Sequence, residues 1–194
     1  MTASITRRLR TAAGALAAAS ALTFTAQAPA QAAPVQGSSP RTAVVEIMNG
    51  VDHQCLEVAD ARTDDGAPVR VWTCTGGDEQ RWIWNGHQLI NVHSGKCLDM
   101  PAFSTTPGTQ ADQWTCDGGT NQDWNLRYFM EMDDFTMINV SSGLMLWTAE
   151  CTTENGAPVL QSEPESSPCS QYIWYSKTIS WIPDGLPAGQ PLAQ

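Results

Sequence analysis

The chain has few basic residues: ten Lys and Arg stand against twenty Asp and Glu among 194 residues, for a formal net charge of −10 at pH 7. Nucleic acids and anionic membrane surfaces are held by clustered cations that neutralise phosphates, so neither is expected as a partner. Histidine is scarce, and His53, His87 and His93 do not cluster. No two of the six cysteines lie two to four residues apart, the spacing of a structural zinc site. No metal or other cofactor is expected. Past residue 33 there is no apolar run long enough to cross a membrane as a helix, and no window of a dozen residues with helical periodicity. Gly-x-Ser-x-Gly is absent, and Asp64-Asp65-Gly66 lacks the alternating acids of a calcium loop. The acid pairs Asp64-Asp65 and Asp133-Asp134 could be nominated as the two carboxylates of a glycoside hydrolase. They lie beside turn residues or lack a partner in the repeat described below, and read as solvated loop acids. The chain is not expected to be an enzyme.

What is present begins with an export signature. Arg7, Arg8 and Arg10 precede an Ala-rich, largely apolar stretch from Thr11 to Phe24, and Ala30-Gln31-Ala32 offers small residues to signal peptidase. Residues 1–33 therefore read as a secretory signal peptide, with the mature chain beginning near Ala33 or Pro34. Thr6-Arg7-Arg8 hints at a twin-arginine signal, but the residues that follow fit an ordinary secretory route better. Cleavage removes three arginines, leaving seven basic side chains against twenty acidic ones, a formal charge near −13. In an exported chain six cysteines read as disulfides.

The middle of the chain is written twice at an offset of 42 residues: Cys55, Gly66, Trp72, Cys74, Gln80 and Trp82 recur as Cys97, Gly108, Trp114, Cys116, Gln122 and Trp124. A third, damaged copy runs from about Thr136 to Trp174. Asn139 to Gly143 repeats Asn91 to Gly95 there, and Gly156-Ala157-Pro158-Val159 repeats Gly66-Ala67-Pro68-Val69. A repeat of this period means one structural unit whose copies complete each other's core. Within each copy the signals are those of short strands: Val69 to Trp72, Arg81 to Trp84 and Leu89 to Val92, bounded by Asp65-Gly66, Gly76-Gly77-Asp78 and Ser94-Gly95. Three copies of about four strands predict an all-β domain of roughly twelve. The expected organisation is a linker over 34–43, one domain over 44–177 and a C-terminal tail over 178–194. The tail's Pro- and Gly-containing end, from Ile182, is expected to be disordered or loosely docked.

The repeated Gln-x-Trp, Gly-x-Cys-Leu-Asp at Gly95 to Asp99 and the paired cysteines resemble the ricin-B-type lectin domain, a family that includes the family-13 carbohydrate-binding modules. The resemblance covers about Val44 to Trp174. It implies a β-trefoil of three four-stranded units about a pseudo-three-fold axis, each with a place for a shallow sugar site. Equal spacing makes Cys55–Cys74 and Cys97–Cys116 the simplest of fifteen connectivities, and leaves Cys151 with Cys169 by elimination, since Met145 and Pro164 stand where the third pair belongs. Trp82 and Trp124 are expected in the core. Gln80 and Gln122 could satisfy buried backbone or face a ligand. In the third copy the tryptophan comes one place late, in Gln171-Tyr172-Ile173-Trp174, and irregular packing is expected there.

The family's sugar site combines an acid after Cys-Leu, a polar residue and an aromatic ahead of the second Cys, and Asn-Gln of the Gln-x-Trp segment. In the middle copy these are Asp99, Asp112, Trp114, Asn121 and Gln122, with Asp112 where the family often has Gln. The chemistry suits a pyranose, with an aromatic face for its C–H side and a carboxylate and amides for its hydroxyls. In the first copy the positions read Glu57, Arg70, Trp72, Glu79 and Gln80, a possible weaker site. In the third they read Trp147, Leu160, Ser162, Ser170 and Gln171, with no carboxylate and no aromatic at the platform position, and no binding is expected. The expected function is that of a secreted, non-catalytic carbohydrate-binding module standing alone. The rivals are a trefoil scaffold for protein binding, such as a protease inhibitor or secreted effector, and an undetected glycoside hydrolase.

Overall fold

The computed structural model describes residues 41–129, 134–149, 153–163 and 172–183; for 41 and 181–183 only the backbone is described. The expected signal peptide and the Cys151–Cys169 pair lie outside these residues. Twelve strands run in chain order: β1 (Arg41–Asn49), β2 (Cys55–Val58), β3 (Ala67–Trp72), β4 (Arg81–Trp84), β5 (Leu89–Asn91), β6 (Cys97–Asp99), β7 (Asp112–Trp114), β8 (Trp124–Tyr128), β9 (Asp134–Asn139), β10 (Met145–Thr148), β11 (Val159–Ser162) and β12 (Trp174–Pro183). All pairings are antiparallel.

Six strands, β1, β4, β5, β8, β9 and β12, form a barrel. β1 pairs with both β12 and β4, β4 with β5, β8 with β9, and β9 with β12. The ring is completed where the Trp124 N–H donates to the His87 carbonyl at 2.7 Å. The hairpins β2–β3, β6–β7 and β10–β11 cap one end. Around the cap each copy donates to the next in a cycle: Gly66 N–H to the Gln113 carbonyl, Gly108 to Gln161 and Gly156 to Val71, at 2.9, 2.8 and 2.9 Å. These glycines have φ of 79°, 86° and 94°, a region that L side chains rarely adopt. This is the β-trefoil that the family resemblance implied.

The core is built from equivalent residues of the three copies. Trp82, Trp124 and Trp174 are buried, and each indole N–H donates to a leucine carbonyl, of Leu56, Leu98 and Leu146, at 2.9, 3.1 and 2.9 Å. The expectation of irregular packing around the third tryptophan is therefore wrong. The extra residue sits ahead of β12, Ile173 takes over the backbone role of Arg81 and Asp123 by accepting from Gly50 N–H at 2.8 Å, and Trp174 keeps its place. Burying a large ring with its N–H satisfied outweighs an insertion that a turn can absorb.

The paired backbone also extends past both expected boundaries. β1 starts at Arg41, inside the segment read as linker, and Arg41 pairs with Pro183, inside the segment read as tail. The stretch Thr178-Ile179-Ser180-Trp181-Ile182 is rich in β-formers, and a proline is tolerated at the strand's last position. At the barrel's open end a cavity of about 200 Å³ is lined by Trp84, Leu89, Leu126, Phe135 and Ser176 among others. Ser176 occupies the position that the first two copies give to Trp84 and Leu126.

Candidate functional site

The middle hairpin sets the site. In register, Cys97 faces Trp114, Leu98 faces Gln113 and Asp99 faces Asp112. Alternation sends Leu98 and Gln113 inward and puts both aspartates and the Trp114 ring on the other face. The Cys97–Cys116 disulfide, with Cα atoms 5.1 Å apart, ties the chain after Trp114 back to β6; Cys55–Cys74 does the same in the first copy. The short 3-10 turn Thr120–Gln122 then carries Asn121 and Gln122 beneath the hairpin.

Asp99 is the hub. Its Oδ1 accepts from Asn121 Nδ2 at 2.7 Å and from Gln122 Nε2 at 3.0 Å. Asn121 Nδ2 also donates to the Met100 carbonyl and Gln122 Nε2 to the Thr115 carbonyl, while Gln122 Oε1 accepts from Asp117 N–H. Gln122 thus takes the first of the two roles left open for it, holding backbone, and it also orients the acid. Asn121 Oδ1, in a side chain only 5% exposed, has no partner. Trp114 is 45% exposed and forms one wall of a depression of about 320 Å³, which Asp99, Asn121, Asp117, Pro101, Ala102 and Phe103 complete. That volume is at the small end of ligand pockets, the scale of a single ring.

Burial raises the Asp99 carboxyl, against the lowering effect of its bonds from Gln122 and Asn121. Asp112, 9% exposed, is pushed up to about 7, first by burial and then by the charges of Asp99 and Asp65. Its Oδ1 is buried without a partner. Asp65 is itself held by Lys96 at 2.6 Å and by the Thr115 N–H at 2.8 Å.

All five residues named for the middle copy are brought together. Asp117 and the turn Pro101–Phe103 were not legible as part of the site. Ala102 and Phe103 adopt φ of 52° and 55° without being glycine, as Asp60 and Ala61 do at the same places in the first copy with 56° and 50°, so the turn is a feature of the repeat. The one available signal was an aromatic, Phe103, stranded in a polar loop; it is 52% exposed.

The first copy assembles the same frame and closes it. Arg70 Nε donates to Glu57 Oε1 at 2.8 Å, Gln80 Nε2 donates to Glu57 Oε2 at 2.8 Å, and the Arg70 guanidinium lies 4.3 Å from the centre of the Trp72 ring. A second Arg70 nitrogen reaches Asp60 at 3.0 Å. Glu79 is half-buried and its side chain joins none of these bonds. In the third copy Trp147 faces Leu160 where Asp99 faces Asp112, Ser162 stands at the platform position, and Ser170 and Gln171 lie outside the described residues. Among the described residues no group of three or more His, Cys, Asp or Glu side chains is placed to hold a metal ion.

Comparison with known proteins agrees with the fold. The family profile described as "Ricin-type beta-trefoil lectin domain" matches residues 43–172. Among solved structures, the designed three-fold symmetric protein ThreeFoil is 29% identical with a TM-score of 0.64, over 70% of this chain and 99% of that one. An exo-β-1,3-galactanase from Clostridium thermocellum is 24% identical with a TM-score of 0.66, over 73% of this chain but only 31% of that one. The Rhizoctonia solani agglutinin is 17% identical with a TM-score of 0.61, over 76% of this chain and all of that one. Among curated proteins, a probable lipoprotein, EnvE, of Salmonella typhimurium is 35% identical over 43 residues, which are 22% of this chain and 25% of that protein.

Proposed function

We propose, from the premise that this chain belongs to the ricin-type β-trefoil lectin family, that it is a secreted, non-catalytic protein that binds carbohydrate through its middle copy. The observation that carries this reading is the arrangement around Asp99: a carboxylate fixed by two amides beside a half-exposed indole, in a depression sized for one ring. A pyranose stacks its C–H face on Trp114 and directs hydroxyl hydrogens to Asp99 and Asp117. Neighbours whose descriptions name a sugar or an agglutinin support the reading. One, a homologue of type II RIPs from Momordica charantia, is described in complex with α-methyl-D-galactoside.

The first copy does not bind in this mode, because Arg70 already sits between the acid and the aromatic. The third does not either, having no acid opposite Leu160. Two disulfides within copies, and the short match to a lipoprotein, favour a location outside the cytoplasm. The test is binding of the protein to a broad panel of glycans and insoluble polysaccharides, with turnover assayed in parallel. Retention on a saccharide and its release by free sugar are expected. Binding to none, or hydrolysis of one, overturns the proposal.

A further inference from the structure

The copies differ in one respect that bears on the ligand. In the first copy a cation lies between acid and aromatic: Arg70, cross-strand partner of Glu57, bonds that carboxylate and covers the Trp72 ring. In the middle copy the same cross-strand position holds Asp112 opposite Asp99. The acid and the indole remain, the cation is gone, and a second carboxylate has taken its place.

Donors and acceptors around the pocket point the same way. Both amide donors are engaged inside the protein, Asn121 Nδ2 with Asp99 and Met100, Gln122 Nε2 with Asp99 and Thr115. Lys96 is held by Asp65 and by the Thr115 hydroxyl, and Arg62 pairs with Asp64. What lines the depression beside the Trp114 ring is a pair of carboxylates, Asp99 and Asp117, while the unpartnered Asn121 Oδ1 lies buried against Gly119. Behind them stands Asp112, nine-tenths buried with an unpartnered oxygen. A hydroxyl brings one donor and also asks for one. An ammonium group brings three donors, asks for none, and carries the charge that two adjacent buried carboxylates lack.

We infer that the middle-copy site selects a cationic amino sugar, a hexosamine with a free amine such as a de-N-acetylated polysaccharide presents, with the ammonium held at Asp99 beside Asp117 and the Asp112 carboxyl standing behind it. The external ammonium does what the Arg70 guanidinium does in the first copy. It joins the acid and lies near the aromatic face, where a cation is attracted to the ring. An N-acetyl group removes the charge, and the neutral parent sugar has no charge to offer. The inference rests on the carbohydrate-binding reading above.

Calorimetric titration of the full chain with galactosamine, N-acetylgalactosamine and galactose, and with the corresponding gluco series, tests it. A free amine is expected to bind about fivefold or more tighter than its acetylated and neutral counterparts, because a charge-assisted bond is roughly twice as strong as a neutral one. In Asp112→Asn, an isosteric change, that ratio should fall toward one. In Asp112→Arg, which copies the first repeat's arrangement, amine binding should be lost. The wild-type ratio decides the matter even if a variant does not fold. Equal or tighter binding of the neutral or acetylated sugars by the wild type overturns this inference and leaves the carbohydrate-binding reading standing. Binding to none of the six sugars overturns this inference, and the carbohydrate-binding reading falls with it if the glycan panel is negative too.

Discussion

At the scale of single residues, Asp99 and Trp114 differ from their counterparts in the other copies by being open to a ligand. Asp99→Ala removes an acceptor of bonds worth roughly 1.5–3 kcal/mol each, and Trp114→Ala removes stacking worth on the order of 1 kcal/mol beyond area. A millimolar site has only about 4 kcal/mol in total. Either change should abolish most sugar binding, while Trp147→Ala and Ser162→Ala should leave it nearly intact. Titration of variants that keep the parent circular dichroism spectrum checks this. Asp112 makes a second residue-scale prediction. Its folded carboxyl holds a proton up to about pH 7, whereas the unfolded one releases it near pH 4. Between those values the folded chain binds more protons, so this residue's contribution to stability is fully present below about pH 4 and is lost as the pH rises through about 7. Asp112→Asn should therefore raise stability at pH 8 by roughly 2–4 kcal/mol and change it little at pH 4. Denaturant melts at the two pH values read the difference, and equal effects at both would count against the assigned environment.

At the scale of elements, each four-stranded copy is a hairpin with an arm of the barrel, stapled where the hairpin begins. Replacing Cys97 and Cys116 together by Ala should cost a few kcal/mol, since closing a loop of 19 residues is worth roughly 3 kcal/mol in the chain-entropy model. An unchanged melting temperature would remove the bond from the account. The barrel's open end gives a converse case: Ser176→Leu places the second copy's Leu126 side chain beside the cavity lined by Leu89 and Phe135, and should stabilise by about 1 kcal/mol. How far such elements could be read beforehand depended on what marks them in the sequence. The hairpins and the two disulfides were legible because they recur at a fixed offset, and the site positions because the resemblance to the lectin family supplied them. The place of Trp174 was not, because spacing records an insertion without saying that a turn absorbs it. The strand past Lys177 was hidden by the prolines and glycines that follow it. The Pro101–Phe103 wall depends on left-handed backbone at residues with side chains, which composition does not reveal. The Arg70–Glu57 pair follows from cross-strand register, and that appears only once β2 and β3 are aligned.

At the scale of the whole molecule, a three-fold architecture carries three unlike pockets. The cap and the tryptophan core keep the symmetry because every copy must bury the same faces, whereas the pockets on the outer face are free to diverge. One has taken an arginine into its own acid and aromatic, and one has exchanged its acid for Trp147 and its platform for Ser162. Only the middle pocket of the three retains an unneutralised acid, and it does so in a chain with a large excess of negative charge. A single chain should therefore bind one saccharide, not three, and Asp99→Ala should take the stoichiometry to zero instead of to two-thirds of its starting value. The same asymmetry sets the behaviour on a polymer. Many chains can coat one polysaccharide, but a lone chain cannot bridge two, so a monomeric preparation should bind saccharide-bearing particles without agglutinating them. Repeated sites would have raised avidity through effective concentration; with one site, affinity on a polymer should match that for a short oligosaccharide when counted per site. Calorimetry at known chain concentration supplies the number. A value of two or three, persisting in Asp99→Ala, would mean that Arg70 yields to a ligand or that the third copy binds by other residues, and the account of the divergent pockets would have to be replaced.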